Sequence, residues 1–181
     1  MSASNIAFSA LSPFQYNYVF GVWIGDTGIQ PPSATTQGDT YWILVVDRCS
    51  LKPVYSEYWD QPDTAPTIPD EYNDPNYMLI VVTWALTTPN VPTGAFYDFL
   101  VDNGAGGGLD AIVQANSQAG CGVFSGVCYI LVGQLGEGSP SGYIGIEDYA
   151  VIGAEGGIYL PMQLVPATVG DQTIYTPTRL V

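Results

Sequence analysis

Two pairs of neighbouring carboxylates, Glu147-Asp148 and Asp70-Glu71, have the most obvious capacity for chemistry in this chain. Two carboxyl groups flanking a glycosidic bond can hydrolyse it, one protonating the leaving oxygen and the other acting as base or nucleophile. Both groups must then face the substrate. The segment around Glu147 reads as a strand, in which adjacent side chains point to opposite faces, so Glu147 and Asp148 are poorly placed to cooperate. The chain contains no histidine. That excludes a Ser-His-Asp or Cys-His nucleophile and removes the usual proton shuttle near neutral pH. A Ser-Lys pair would need Lys52, the only lysine, which Pro53 places in a turn as a solvated cation. No catalytic residue is assigned, and the chain reads as a non-enzyme.

Binding chemistry has more material. Residues 60–76 (DQPDTAPTIPDEYNDPN) hold four prolines and five acids in 17 residues. Asp60, Asp63, Asp70, Glu71 and Asp74 offer the hard oxygens that Ca2+ takes from a flexible cage, though without EF-hand spacing. The alternative is a solvated proline-rich loop, and no other cofactor is expected. Trp59 and Tyr72 bracket this loop and are the candidates for stacking on a sugar ring. Trp23, Tyr55, Tyr58 and Tyr77 share that capacity, and aromatic side chains serve cores and subunit contacts equally well. Cys121 and Cys128 lack zinc-pair spacing; they read as one bridge or two buried thiols, with Cys49 left over. Asn103-Gly-Ala-Gly-Gly-Gly108 precedes a predicted helix and imitates a phosphate loop. It lacks the Gly-Lys-Ser/Thr ending and does not directly follow a strand, so it reads as a turn between helices.

Charge narrows the partners. Against 17 carboxylates stand only Arg48, Lys52 and Arg179, for a net charge of −14. Three scattered cations make no basic stripe for phosphates, which argues against nucleic acid and against an anionic membrane surface. Hydrophobic residues are 47% of the chain and charged ones 11%, so much of the surface must be uncharged. Lysine on edge strands is a common guard against unwanted strand pairing, and its scarcity suits a chain built to associate. The first residues show neither a basic n-region nor an apolar h-region, so no classical signal peptide is expected.

The elements that must position these groups follow from periodicity. Residues 41–47 (YWILVVD), 77–86 (YMLIVVTWAL) and 127–132 (VCYILV) are dense apolar runs that predict strands buried on both faces. Residues 54–59 (VYSEYW) predict the hairpin return of the first run. Thr93 predicts the cap of a short helix over 94–101, and Leu109, Ile112 and Val113 the apolar stripe of a second over 109–118. Residues 143–147 and 148–152 predict further strand pieces. Phe14, Tyr16, Tyr18 and Phe20 alternate with smaller or polar residues, giving an aromatic face buried on a core or on a neighbour. The last segment, interrupted by Pro161, Pro166 and Pro177, predicts an extended arm with short pieces such as 174–176. The fold class is α+β, a mixed β-sheet or sandwich core with two short helices and extended N- and C-terminal arms.

The order strand, return, long loop, strand, two helices, strand, glycine loop resembles the interleukin-like EMT inducer domain, also called the GG domain. The likeness rests on residues 41–60, 77–86 and 99–138, including Tyr129-Ile-Leu-Val-Gly133. It implies a compact sheet-and-helix domain with no established enzymatic activity, similar also to modules of phage tail fibres. The organisation is then an N-terminal arm over 1–38, a GG-like domain over 39–149 and a C-terminal extended arm over 150–181. The functional expectation is a structural protein that self-assembles through its arms into a virion or extracellular filament, with a carbohydrate-binding module as the alternative. Phe14, Tyr16, Tyr18, Phe20 and Trp23 in the first arm, with Tyr159 and Tyr175 in the last, are the assembly candidates. The partners expected are other copies of the chain, a glycan or other virion proteins.

Overall fold

Tyr41, Ile43 and Val45 enter one hydrophobic core, while Trp42, Leu44 and Val46 enter another. An apolar run without polar alternation is what a strand covered on both faces requires. Residues 77–82 and 127–132 divide in the same way: Leu79, Val81, Tyr129 and Leu131 go to the first core, and Met78, Ile80, Ile130 and Val132 to the second. A computed structural model describes residues 3–14, 20–33, 38–118, 126–136, 145–151 and 157–180. Its strands are β1 (Ile6–Ser12), β2 (Gly21–Ile24), β3 (Thr27–Ile29), β4 (Thr40–Asp47), β5 (Pro53–Trp59), β6 (Tyr77–Trp84), β7 (Leu86–Thr87), β8 (Gly126–Gln134), β9 (Ile146–Val151), β10 (Ile158–Val169) and β11 (Gln172–Arg179). Two helices, α1 (Gly94–Asp102) and α2 (Gly107–Gln118), lie between β7 and β8.

The strands form two sheets. One has the order β5-β4-β6-β8-β7, with β9 also paired to β8; the other has the order β11-β10-β1-β2-β3. The second core lies between the sheets, making a sandwich, and the first lies between the six-stranded sheet and the helices, which contribute Phe96, Leu100, Leu109 and Ile112. Helices gathered on one side of antiparallel sheets are the sense in which an α+β description fits. Every strand pairing among the described residues is antiparallel, which corrects the expectation of a mixed sheet. A single crossover helix would have delivered β8 parallel to β6. Here the two-helix excursion returns the chain to its point of departure: Leu86 faces Val127 and Thr87 faces Gly126.

The terminal segments, expected as extended arms, are instead the second layer of the sandwich. β1 pairs with β10 from Ile6↔Leu164 to Ser12↔Ile158. Phe8, Ala10, Leu160, Met162 and Leu164 are buried against the six-stranded sheet. Arginines tie this layer to the other. The Tyr175 N–H donates to the Arg48 carbonyl at 3.0 Å, and Arg48 Nε donates back to the Tyr175 carbonyl at 2.9 Å. Arg48 also donates from Nη1 to the Pro75 carbonyl at 2.7 Å and from Nη2 to Thr176 Oγ1 at 2.8 Å. At the far end of β11, Arg179 Nη2 donates to the Glu147 carbonyl.

Local expectations differ in detail. The two strand pieces foreseen around 143–152 are one strand, β9, among the described residues. Thr93 holds the N-cap position of α1, but its side chain makes no capping bond; its hydroxyl donates to the Pro62 carbonyl at 3.4 Å. Residues 60–76 carry no regular structure beyond a 3-10 turn at Asp70–Tyr72, as their prolines require. Among the described residues no helix is long and apolar enough to cross a membrane.

Candidate functional site

Alternation along β1 and β10 sends Phe8, Ala10, Leu160 and Met162 inward, and therefore Ala7, Ser9, Leu11, Tyr159, Pro161 and Gln163 outward. On β2, Val22 and Ile24 are buried and Trp23 faces out. The indole of Trp23 lies across two glycines. A Cβ added at Gly21 would stand 3.1 Å from its Cη2, and one added at Gly28 would stand 3.1 Å from its Nε1. Larger residues at either position would lift the ring off the sheet. Tyr159 is 57% exposed and Leu180 51%. With Trp23, Pro161, Ala7 and Ser9 they border a shallow depression of about 180 Å3.

The described strand residues of this face carry no charge. None of the outward strand residues of the five-stranded sheet is a carboxylate, lysine or arginine. The described acids of its segments, Asp26 and Asp171, sit in the β2–β3 and β10–β11 turns, at the rim. Arg179 alternates inward with Met162, toward β9. The face therefore presents aromatic, aliphatic and hydroxyl groups on a chain whose net charge is −14.

Of the assembly candidates, Trp23 and Tyr159 reach this face. Phe20 stacks inside the molecule, with ring centroids 5.4 Å from Trp42, 5.5 Å from Trp84 and 6.4 Å from Tyr58. Phe14 packs on Gly126, where an added Cβ would lie 2.5 Å from its ring. Tyr175 packs against the core between the sheets. Tyr16 and Tyr18 lie outside the described residues. Sequence reasoning missed the neutral face because the prolines of β10 hid its period-two pattern.

The proposed sugar-stacking pair is held by the chain itself. Trp59 Nε1 donates to the carbonyls of Gln61 and Thr64, both at 2.8 Å, pinning the proline-rich loop. Tyr72 meets Tyr77 edge-on at 5.2 Å, and both pack on the helix-side core. Asp60, Asp63, Asp70, Glu71 and Asp74 are not gathered: among the described residues no three His, Cys, Asp or Glu side chains converge to hold a metal ion. Glu71 and Asp74 do line an open cavity of about 320 Å3 with Asp47, Cys49 and Gln172. Cys128 is a buried free thiol, pushed up to about 11 by burial, while Cys121 lies outside the described residues. Lys52 is exposed in the β4–β5 turn.

Glu147 has a structural role that its sequence context did not disclose. Its carboxylate accepts the backbone N–H groups of Gly108 at 3.1 Å and Leu109 at 3.0 Å, and the Tyr129 hydroxyl at 2.6 Å. It thus fills the anion position at the N-terminus of α2, where the helix leaves unpaired N–H groups and a positive partial charge. The phosphate-loop imitation is real in geometry, but the chain supplies its own anion. The glycines make room: a Cβ at Gly108 would stand 3.2 Å from Glu147 Cβ and Cδ. Burial first, then the charge and hydrogen bond of Glu147, hold the Tyr129 phenol well above its ordinary range. Asp148 points the other way, its Oδ1 accepting the Tyr149 N–H at 2.9 Å, so the adjacent carboxylates do not form a dyad. No protein-family model matches the chain, and no curated protein is significantly similar to it.

Proposed function

We propose that this chain is a non-enzymatic structural protein that self-assembles into a virion or filament component. One observation carries the reading: the two terminal segments join into a single sheet whose outward strand residues, among those described, include no carboxylate, lysine or arginine, on a chain of net charge −14. Contiguous exposed patches of apolar and aromatic groups mark contact sites. A likeness to the interleukin-like EMT inducer domain is part of the same proposal. Light scattering and negative-stain microscopy of the purified protein test the assembly. Particles larger than one chain are expected, and a monomer persisting at high concentration overturns the reading.

A carbohydrate-binding module is the second reading. The outward ring of Trp23, laid flat across Gly21 and Gly28, is the observation in its favour, since sugar rings stack on such planes. Glycan-array binding that Trp23→Ala abolishes would establish it, and binding untouched by that substitution would remove Trp23 from it.

A further inference from the structure

We propose that the neutral outer face of the β11-β10-β1-β2-β3 sheet receives the same face of a second copy of this chain, the two related by a two-fold axis. The proposal rests on the self-assembly reading and names its surface and partner. Charge selects the partner. Two copies each carrying −14 repel overall, and the outer sheet face, whose described strand residues hold no acid, lets them touch without opposing carboxylates. A basic partner would gain most by docking elsewhere, on surfaces that hold acids such as Glu71 and Asp74.

Size is adequate. The five strands are three to twelve residues long and hold 34 residues together; at about 3.3 Å per residue and about 4.8 Å between strands they span roughly 540 Å2. Two such faces bury roughly 1,100 Å2 together, just above the roughly 1,000 Å2 that a specific interface needs. Shape is suitable as well. A two-fold contact must be self-complementary, each patch carrying both a projection and a place to receive it. Tyr159, 57% exposed, is the projection, and the depression of about 180 Å3 between Trp23, Ser9, Pro161 and Leu180 is the receiver. The face is also held before contact: Trp23 rests on its glycines, and Arg48 and Arg179 fasten β11. Little ordering entropy is then lost on association.

Sedimentation velocity on the full chain tests this with a charge swap at Ser9, central on β1. Wild type should dimerise. Ser9→Asp should raise the dissociation constant at least about tenfold, because identical charges meet across the axis, and a one-to-one mixture with Ser9→Lys should recover the wild-type dimer. Tyr159→Asp is the companion variant, at an exposed position where folding is not at stake, and should weaken the dimer comparably. Thr67→Asp, on the loop over the helix side, should leave it unchanged. A dimer unmoved by both Ser9→Asp and Tyr159→Asp overturns this face while self-assembly stands. A wild-type monomer overturns both, and a monomer that binds a polysaccharide through Trp23 assigns the face to a glycan.

Discussion

Glu147 and Gly133 show how single residues decide this structure. Glu147 satisfies two helix N–H groups and one buried phenol at once. Glu147→Ala should cost about 2–4 kcal/mol, the loss of charge-assisted bonds plus donors left without partners. Glu147→Gln, which keeps an acceptor, should cost about half as much, and urea unfolding reads both. Equal losses for the two would show that the negative charge alone carries the effect and that the retained acceptor contributes nothing. At Gly133 an added Cβ would lie 1.9 Å from the Asn103 carbonyl oxygen, a backbone atom that cannot rotate away. Buried acids supply a third expectation. Burial raises Cys128 to about 11 and holds the phenols of Tyr41 and Tyr129 above their usual range, so the fold favours their protonated forms. Their contribution is complete below the unfolded thiol value of about 9 and is lost as pH climbs through the folded values. The Tm should therefore fall between about pH 9 and 11, and fall less in Cys128→Ala; a flat profile would overturn this. None of these roles shows in composition. The glycines over 104–108 read as a turn between helices, and only the fold reveals that Glu147 packs against them.

Among the elements, β4, β6 and β8 were legible because both parities of each run are apolar. β10 was not, and the reason is specific. Proline lacks the N–H that a strand between two neighbours must donate. Pro161 faces Ser9 of β1 at a position β11 does not reach, and Pro166 faces Tyr175 beyond the start of β1. Each proline thus sits where β10 has a single neighbour, and a twelve-residue strand accommodates both. The same geometry shows how the edge strand β11 is retained. Hydrogen bonds from the Arg48 guanidinium cross between the layers to Tyr175 and Thr176, and another holds the Pro75 carbonyl of the loop before β6. Arg48→Ala should cost about 1–3 kcal/mol. Its signature should be faster amide exchange confined to β11 and the outer half of β10; uniform acceleration across both sheets would show that Arg48 supports the whole fold instead.

At the scale of the molecule, the charge balance foresaw a surface poor in ions but not its distribution. Which face escapes the carboxylates depends on strand register, and register depends on the pairing of residues more than a hundred positions apart, as in Ile6↔Leu164. A consequence for association follows. As pH falls from 7 toward the sequence pI of about 4.1, the carboxylates neutralise and repulsion between copies weakens. Dimer affinity should rise severalfold between pH 7 and 4.5, followed by sedimentation, and added salt at pH 7 should mimic part of the effect by screening. Unchanged affinity across that range would mean that long-range charge does not govern the contact.

The antiparallel pairing of β10 with both β1 and β11 also fixes the exits of the polypeptide. Ile6 faces Leu164 on one flank of β10, and Arg179 faces Met162 on the other. These two points lie roughly 10 Å apart, two strand spacings. A unit with such adjacent doorways can be spliced into a surface loop of a host polypeptide, or have its ends joined by a short peptide and be reopened elsewhere, without any segment crossing its body.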